Sequence, residues 1–434
     1  MAALLAVAPS VHARQTGDAS ALEAIVRRAA DTIRAYSAEG HHRTATAVDR
    51  ASADALLARA RATGARASLE PFDLARVDTA AAFVQIHGQR IDGLPMFDGA
   101  FTGAEGVTGR IGPIDGDQPI AWTRIAPNGE ATLRRVRQGS RHTAIVAVTI
   151  GGKPGLCPVN AGWFIEPFGP PVLQISSEQL AAIEAASAAH LDVRLVSHVT
   201  RRRERAYNVV SEIRGTDPAL PPVCVMTPRS GWHANASERG GGLVCWLETM
   251  RAVVATNGPA SAFAASRLRP DRNAGHYRNT GDRNTSDRNT GALRTVKFVA
   301  SSGHELGHLG LHDYLHRKPT LARDAYAWVH FGANIGTSTG DIGMTPSDDR
   351  LREAAIRALA PHGLDTIRQS QAAQVFGEAG TISEHGGRFI SFIGANAWFH
   401  NPGDLWPDAV DVQAVARFAR AVADLTLHLA NTPA

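Results

Sequence analysis

The sequence predicts an α/β protein: a three-layer α/β/α domain with a mixed sheet, carrying an inserted small β-rich domain. Three observations predict this. From about residue 192, apolar strand-like runs alternate with helix-like runs, the pattern of helices covering both faces of a sheet. Between residues 79 and 191 the texture changes to short β-like runs broken by Gly, Pro and Asp. Helical periodicity precedes that stretch, and 434 residues suffice for two or three domains and a large core.

In chain order, residues 1–16 hold a short apolar run and a V-H-A that would suit cleavage after Ala13, but no basic leader. They read as a remnant signal or a disordered terminus, which leaves a cytoplasmic or a periplasmic/secreted location open. Residues 17–78 read as N-terminal helices on "ALEAIVRRAADTIRAYS". Within 79–191, "AAFVQIHGQ", "GVTGRIGPI" and "TAIVAVTIGG" read as strands, and "GPPVLQISSEQLAAIEAA" as a strand passing into a helix opened by Ser176 or Ser177. Residues 192–434 form the α/β domain. "LVSHVTRRRERAYNVVSEI" reads as two strands joined by a solvated Arg run, and "PPVCVMTP" as another strand. Next come the helix "GGGLVCWLETMRAVVA", the strand "TVKFVASSG" and the helix "HELGHLGLHDYLHRK". "DAYAWVHFGANIG" and "RFISFIGAN" are strands, and "DVQAVARFARAVADLTLHLA" is a final amphipathic helix. Residues 272–291 carry a tandem R-N-T-[GS]-D repeat with almost no apolar side chains, a low-complexity surface loop.

Composition excludes several classes. Lys+Arg number 45 against 41 Asp+Glu, with no basic tract interleaved with aromatics, so nucleic acid is not an expected partner. No apolar run of about 18 residues predicts a membrane span. Cys157, Cys224 and Cys245 lie far apart with no C-x-x-C, which predicts buried thiols rather than a disulfide.

The chemistry-bearing residues cluster where predicted strands end. His304, Glu305 and His308 spell H-E-x-x-H, which on one helical face brings two imidazoles to a Zn²⁺ with the glutamate as base. The structural alternative is a helical first turn with locally bonded histidines, the better reading for His312 and His316. "TPRSGWHANASERGGG" places Arg229 to grip a carboxylate and Glu238 to hold a metal, or the two as an ion pair. Its glycines Gly240 to Gly242 would allow close backbone approach. "NAWFHNPGDLW" offers His400 with Asp404, "SEHGG" offers Glu384 and His385, and "WVHFGAN" offers His330 and Asn334.

These segments, in this order, resemble the di-zinc aminopeptidase family that also includes the glutaminyl cyclases, and residues 79–190 resemble its protease-associated insertion. "ERGGGLVCWLETMRAV" is similar to the family's D-N-x-S-G helix, "WFHNPGDLW" to its Y-H-T-x-x-D segment, and the final helix to its last one. "TVKFVASSGHELGHLGLHDYLHRKPTLARDAYAWVHFGANIG" is similar to its strand, acidic pair, helix and next strand. The resemblance puts the first zinc-binding His on Thr227, its paired Asp on Arg229, and the bridging Asp on Glu238. It puts the catalytic base on His304, a metal-binding Glu on Glu305, a metal-binding Asp near Gly332 or Asn334, and the last His on His400. With a fixed cation at Arg229 and no carboxylate near Asn334, it implies that the usual two-metal site does not form.

The expectation is therefore a divergent metallo-aminopeptidase-like hydrolase of a peptide or small amide, with one rebuilt zinc site. Its candidate ligands are Glu238, His304, Glu305, His308 and His400. If the two histidines of the motif bind zinc, Glu305 is the base. If Glu238, Glu305 and His400 bind it, His304 is the base. Arg229, Ser230, Trp232, Arg239, His330 and Asn334 are expected to bind the substrate, with Arg229 placed to take an anionic group. The alternative is a non-catalytic peptidase-fold protein binding an anionic peptide or metabolite.

Overall fold

A computed structural model describes residues 10–257, 291–370 and 375–433. The tandem repeat, save Gly291, and the first nine residues of the signal-like terminus lie outside them. Helix α1 (Ser10–Ala38) and helix α2 (Ala47–Arg61) open the chain, the latter capped by Thr46 accepting from the Asp49 amide.

The helical reading up to residue 78 ends early, because strand β1 (Ala67–Ile86) begins at Ala67. It pairs antiparallel with β8 (Asp192–Ile213) from Ala67↔Ser211 to Ile86↔Val193, with one irregularity between Thr79 and Ala81. The two strands expected over 195–213 are thus one strand of 22 residues. Its exposed arginine run is held in extended form, with Arg203 and Arg205 3.1 and 3.0 Å from the Asp73 carboxylate. Pairing with β1 overrides the local charge pattern.

Between β1 and β8 lie β2 (Gln89–Asp92), β3 (Leu94–Pro95), β4 (Val107–Pro113), β5 (Ile120–Ile125), α3 (Glu130–Arg137), β6 (Ala144–Thr149), β7 (Val172–Ile175) and α4 (Leu180–Ala188). Ser176 accepts from the Glu178 amide at the turn before α4, as the sequence suggested. These elements have their own apolar core, with Ile120, Val146 and Leu173 fully buried.

After β8 come β9 (Val223–Pro228), α5 (Gly240–Asn257), β10 (Val296–Ser301), α6 (Leu309–His316), α7 (Leu321–Asp324) and β11 (Ala327–Phe331). Then follow β12 (Ile342–Pro346), α8 (Asp349–Leu359), β13 (Arg368–Gln369), α9 (Glu378–Glu384), β14 (Phe389–Gly394) and α10 (Val412–Ala430). The sheet is mixed and runs β13-β12-β14-β11-β9-β10-β8, continuing through β4 into the inserted strands. β9, β10, β11 and β14 are parallel neighbours.

Alternation along the strands separates the two faces. Val223, Val225, Val329 and Phe392 pack in the core shared with α1, α5 and α10. Cys224, Met226, Trp328 and Phe389 pack on the other face, against Leu311 and Tyr314 of α6 and Ile382 of α9. The result is the expected three-layer α/β/α arrangement. All three cysteines are free and buried. Among the described residues no helix is long and apolar enough to cross a membrane.

Candidate functional site

The parallel strands β9, β10, β11 and β14 end side by side, and the loops leaving them build one rim. A cavity of about 760 Å³ opens there, lined by His304, His308, His330 and Glu378 and faced by Glu130 and Asn160 of the inserted segment.

The H-E-x-x-H stretch is not one helix. Gly303 takes φ 85°, a 3-10 turn covers His304–Leu306, and Gly307 and His308 follow at φ 72° and 60°, so α6 starts only at Leu309. Gly303 is required twice, by its positive φ and because a Cβ there would lie 2.8 Å from that of Leu309. Two successive left-handed residues, rather than helical spacing, bring the rings of His304 and His308 to 5.2 Å, tilted by 33°. A non-glycine residue held left-handed is strained, and such strain gathers at functional sites.

The third member comes from far along the chain. Glu378 opens α9, on the sheet face that also carries His330. Its Oε1 lies 2.9 Å from His304 Nδ1 and its Oε2 3.3 Å from His330 Nε2. Ser391 Oγ lies 2.9 Å from the other ring nitrogen of His330, and Thr381 Oγ1 lies 3.2 Å from His308 Nδ1. Burial would raise the Glu378 carboxyl, but His304, His308 and His330 outweigh it and hold it well below the usual range. Burial pushes His308 down to about 4, so its imidazole is neutral and keeps a lone pair at pH 7.

Donor atoms of His304, His308 and Glu378 all lie within 4.8 Å of one another. Two donors about 2.1 Å from a tetrahedral ion stand about 3.4 Å apart, so small side-chain movements would close this trio on one zinc. Two imidazoles and a carboxylate are a donor set that zinc accepts, with the cavity left for a fourth position.

The positions that the family resemblance assigned to two metals are filled otherwise. Thr227 Oγ1 donates to Phe331 O at 2.8 Å. Arg229, wholly buried, pairs with Asp49 at 2.9 Å and donates to Tyr207 O, so neither the substrate grip nor the Arg229–Glu238 pair is formed. Glu238 lies 2.8 Å from the Arg239 guanidinium and 3.4 Å from His400 Nε2. Burial opposes its charge, but Arg239, His400 and His304 hold its carboxyl far below the ordinary range. His400 Nδ1 donates to Pro158 O. Asp404 accepts from the Ser237 and Glu238 amides, which fixes the start of α5, and burial raises its carboxyl to about 6. A second metal does not fit a corner that already holds an arginine against its carboxylate.

Glu305 points away from the cavity. Its oxygens accept from the Thr44 amide at 2.6 Å and from Ser230 Oγ at 2.7 Å. Ser230 in turn accepts from the Gly303 and His304 amides, which makes it a buried brace of the turn. Neither ligand set that includes Glu305, nor Glu305 as base, matches this geometry, since both carboxylate oxygens are committed elsewhere. Of the six expected substrate contacts, His330 and Asn334 line the cavity, whereas Arg229, Ser230, Trp232 and Arg239 do not. Gly241 and Gly242 serve close packing, since side chains there would collide with Ile335 O and Thr227.

Sequence reasoning missed Glu378 and Glu130. Glu378 stands in "VFGEAGT", 74 residues from His304, with no motif around it. Glu130 stands in "PNGEATL", at a helix start where an acidic residue is unremarkable.

No protein-family model matches the chain, and none of the curated proteins matches it in sequence. Solved structures do. BSAP, a zinc aminopeptidase from Bacillus subtilis, is 16% identical with a TM-score of 0.70, over 92% of this chain and 94% of that one. A peptidase M28 precursor from Shewanella amazonensis is 16% identical with a TM-score of 0.70, over 96% and 97%. An aminopeptidase from Aneurinibacillus sp. is 13% identical with a TM-score of 0.64, over 92% of each chain. From its N-terminal helices to α10, this chain has the fold of the zinc aminopeptidases.

Proposed function

We propose that the protein is a divergent metal-dependent hydrolase of a peptide or small amide, with a single zinc held by His304, His308 and Glu378. The observation that carries it is the convergence of those three donors at the floor of the cavity. Zinc there would supply a Lewis acid for the substrate carbonyl and lower the pKa of water towards about 7. His330, set by Ser391, lies 3.3 Å from the second oxygen of Glu378 and favours its charged form. Thr381 orients His308 by a hydrogen bond at Nδ1. Phe376, Ile150 and Phe399 give the cavity apolar walls beside its polar floor.

The test is metal analysis after zinc reconstitution, for the native chain and for His304→Ala, His308→Ala and Glu378→Gln. One equivalent in the native chain, lost in each variant, is the expected result. A peptide and amide library supplies the second measurement, with turnover removed by a chelator and restored by zinc. Well under one equivalent of metal in the native chain overturns the assignment.

A second reading, a non-catalytic binding protein on the peptidase fold, is favoured by the loss of the inherited corner to Thr227 and to the Arg229–Asp49 and Arg239–Glu238 pairs. Zinc-dependent turnover that disappears in Glu378→Gln removes it.

A further inference from the structure

The two carboxylates of the layer that builds the proposed zinc site are already committed. Glu305 is bonded to Thr44 and Ser230, and Glu378 is a ligand of the proposed site, bonded to His304 through one oxygen. Among the described residues, two other carboxylates line the cavity, Glu130 and Glu384. Glu384 closes α9 on the exposed surface. Glu130 comes from the opposite wall, as the first residue of α3, and it is half-buried.

From these placements we infer that Glu130 of the inserted segment is the general base and acid of this site. The inference rests on the metal-site reading above and names the residue that moves the proton there.

Three observations support the assignment. Glu130 shares the cavity with His304, His308 and Glu378, and it is close enough to His304 and His400 to sense both imidazoles. Its carboxylate has a polar neighbour: the Asn160 side chain lies beside it and favours its charged form, against the effect of burial. The Asn160 carbonyl oxygen is itself fixed by the Trp232 indole N–H at 2.9 Å, which turns the Asn160 amide nitrogen, a donor, away from Trp232. Trp232 is buried against Phe97 and cannot reach substrate, so its role at the site runs through Asn160. Finally, burial shifts the Glu130 carboxyl upwards, the direction in which proton-shuttling carboxylates are tuned.

In the step assigned to it, Glu130 takes a proton from the attacking water as the water oxygen bonds to the amide carbon. The proton then passes to the leaving nitrogen as the C–N bond breaks. One water is consumed, and an acid and an amine are released, with Glu130 returned to its carboxylate.

The test uses zinc-loaded native protein, Glu130→Gln and Glu130→Asp, with acetohydroxamic acid as probe. This neutral acid binds a metal as its anion, so its hydroxyl proton goes either to a base in the site or to the buffer. Calorimetry in two buffers of different ionisation enthalpy counts it. Glu130→Gln is expected to release about one proton more than the native protein at equal zinc content, and Glu130→Asp to behave as the native protein does. On the most active amide of the library, kcat of Glu130→Gln is expected to fall about 100- to 10,000-fold, with little change in KM. Equal proton release at full zinc loading, no binding of the probe to zinc-loaded native protein, or kcat within threefold of native overturns the inference alone. Absence of zinc from the native protein overturns the metal site and this assignment together.

Discussion

His304 Nδ1 and Glu378 Oε1 lie 2.9 Å apart although 74 residues separate them in the chain. That contact joins the exit of β10 to the start of α9, to one side of the corner where the family resemblance would place two metals. Arg239 and Glu238 fill that corner, while His304, at the position the resemblance gives to a base, turns to the Glu378 carboxylate. The first prediction follows. His308→Ala is expected to lower zinc affinity by roughly 100-fold or more, since loss of an outer partner alone typically costs 10- to 100-fold. Competition with a chromogenic chelator measures it, and unchanged affinity removes His308 from the ligand set.

Glu305 provides the contrasting case. Glu305→Gln keeps the side-chain size but puts an amide where one of two buried donors, the Thr44 N–H or the Ser230 hydroxyl, now finds a carboxylate oxygen. An orphaned buried donor costs about 1–3 kcal/mol. The variant is expected to melt at lower temperature while binding zinc as the native chain does. Loss of zinc with unchanged melting would instead return Glu305 to the metal site.

How much of this was legible follows from where each signal lives. The strands β9, β10, β11 and β14 are apolar runs ended by turn residues, and α10 has an unbroken 3.6-residue stripe, so local pattern sufficed. It failed for β1, where "ASLEPFDLARVDTA" follows a helix and reads as its continuation until β8 pairs with it. The amphipathic α8, capped by Asp348, carried a readable signal that the sequence reading passed over. At the site, the motif histidines were legible because they are four residues apart, although left-handed turns rather than a helix join them. Glu378, Glu130 and Asp49 were not, because each meets its partner only through the tertiary fold, and a lone acidic residue in a polar segment carries no direction.

Asp49 and Arg229 form a buried ion pair at 2.9 Å, with Asp49 also accepting from the Ala45 amide and Ser302. Removing one partner strands a buried charge, which typically costs about 3–5 kcal/mol. Arg229→Met is expected to destabilise by that order, and the double variant Arg229→Met/Asp49→Leu by less than the sum of the two single changes. Urea unfolding of all four proteins gives the coupling, and strict additivity would show that the pair contributes nothing beyond its separate packing.

Acid sensitivity should centre on two buried histidines outside the proposed zinc site. Burial pushes His42 down to about 3 and His233 down to about 4, against an ordinary value of 6.5. His42 stacks 3.7 Å from Tyr36 and donates to Tyr36 O, while His233 donates to Leu156 O. Both are therefore neutral when folded. Below pH 6.5 the unfolded chain binds protons that the folded chain refuses, so stability is complete above that pH and is lost as pH falls. Each histidine contributes a slope of about 1.4 kcal/mol per pH unit, His233 down to about pH 4 and His42 further. In zinc-free protein His308, also pushed down to about 4, adds to the loss. Asp404 works the other way, because its raised carboxyl, at about 6, makes the folded chain bind more protons than the unfolded one between its two values. Losses on acidification outnumber this gain, so the urea midpoint of zinc-free protein is expected to fall steadily from pH 6.5 to pH 4. His42→Gln keeps a donor for Tyr36 O and is expected to remove about one proton from that slope. A slope unchanged in His42→Gln would show that His42 takes up its proton without unfolding.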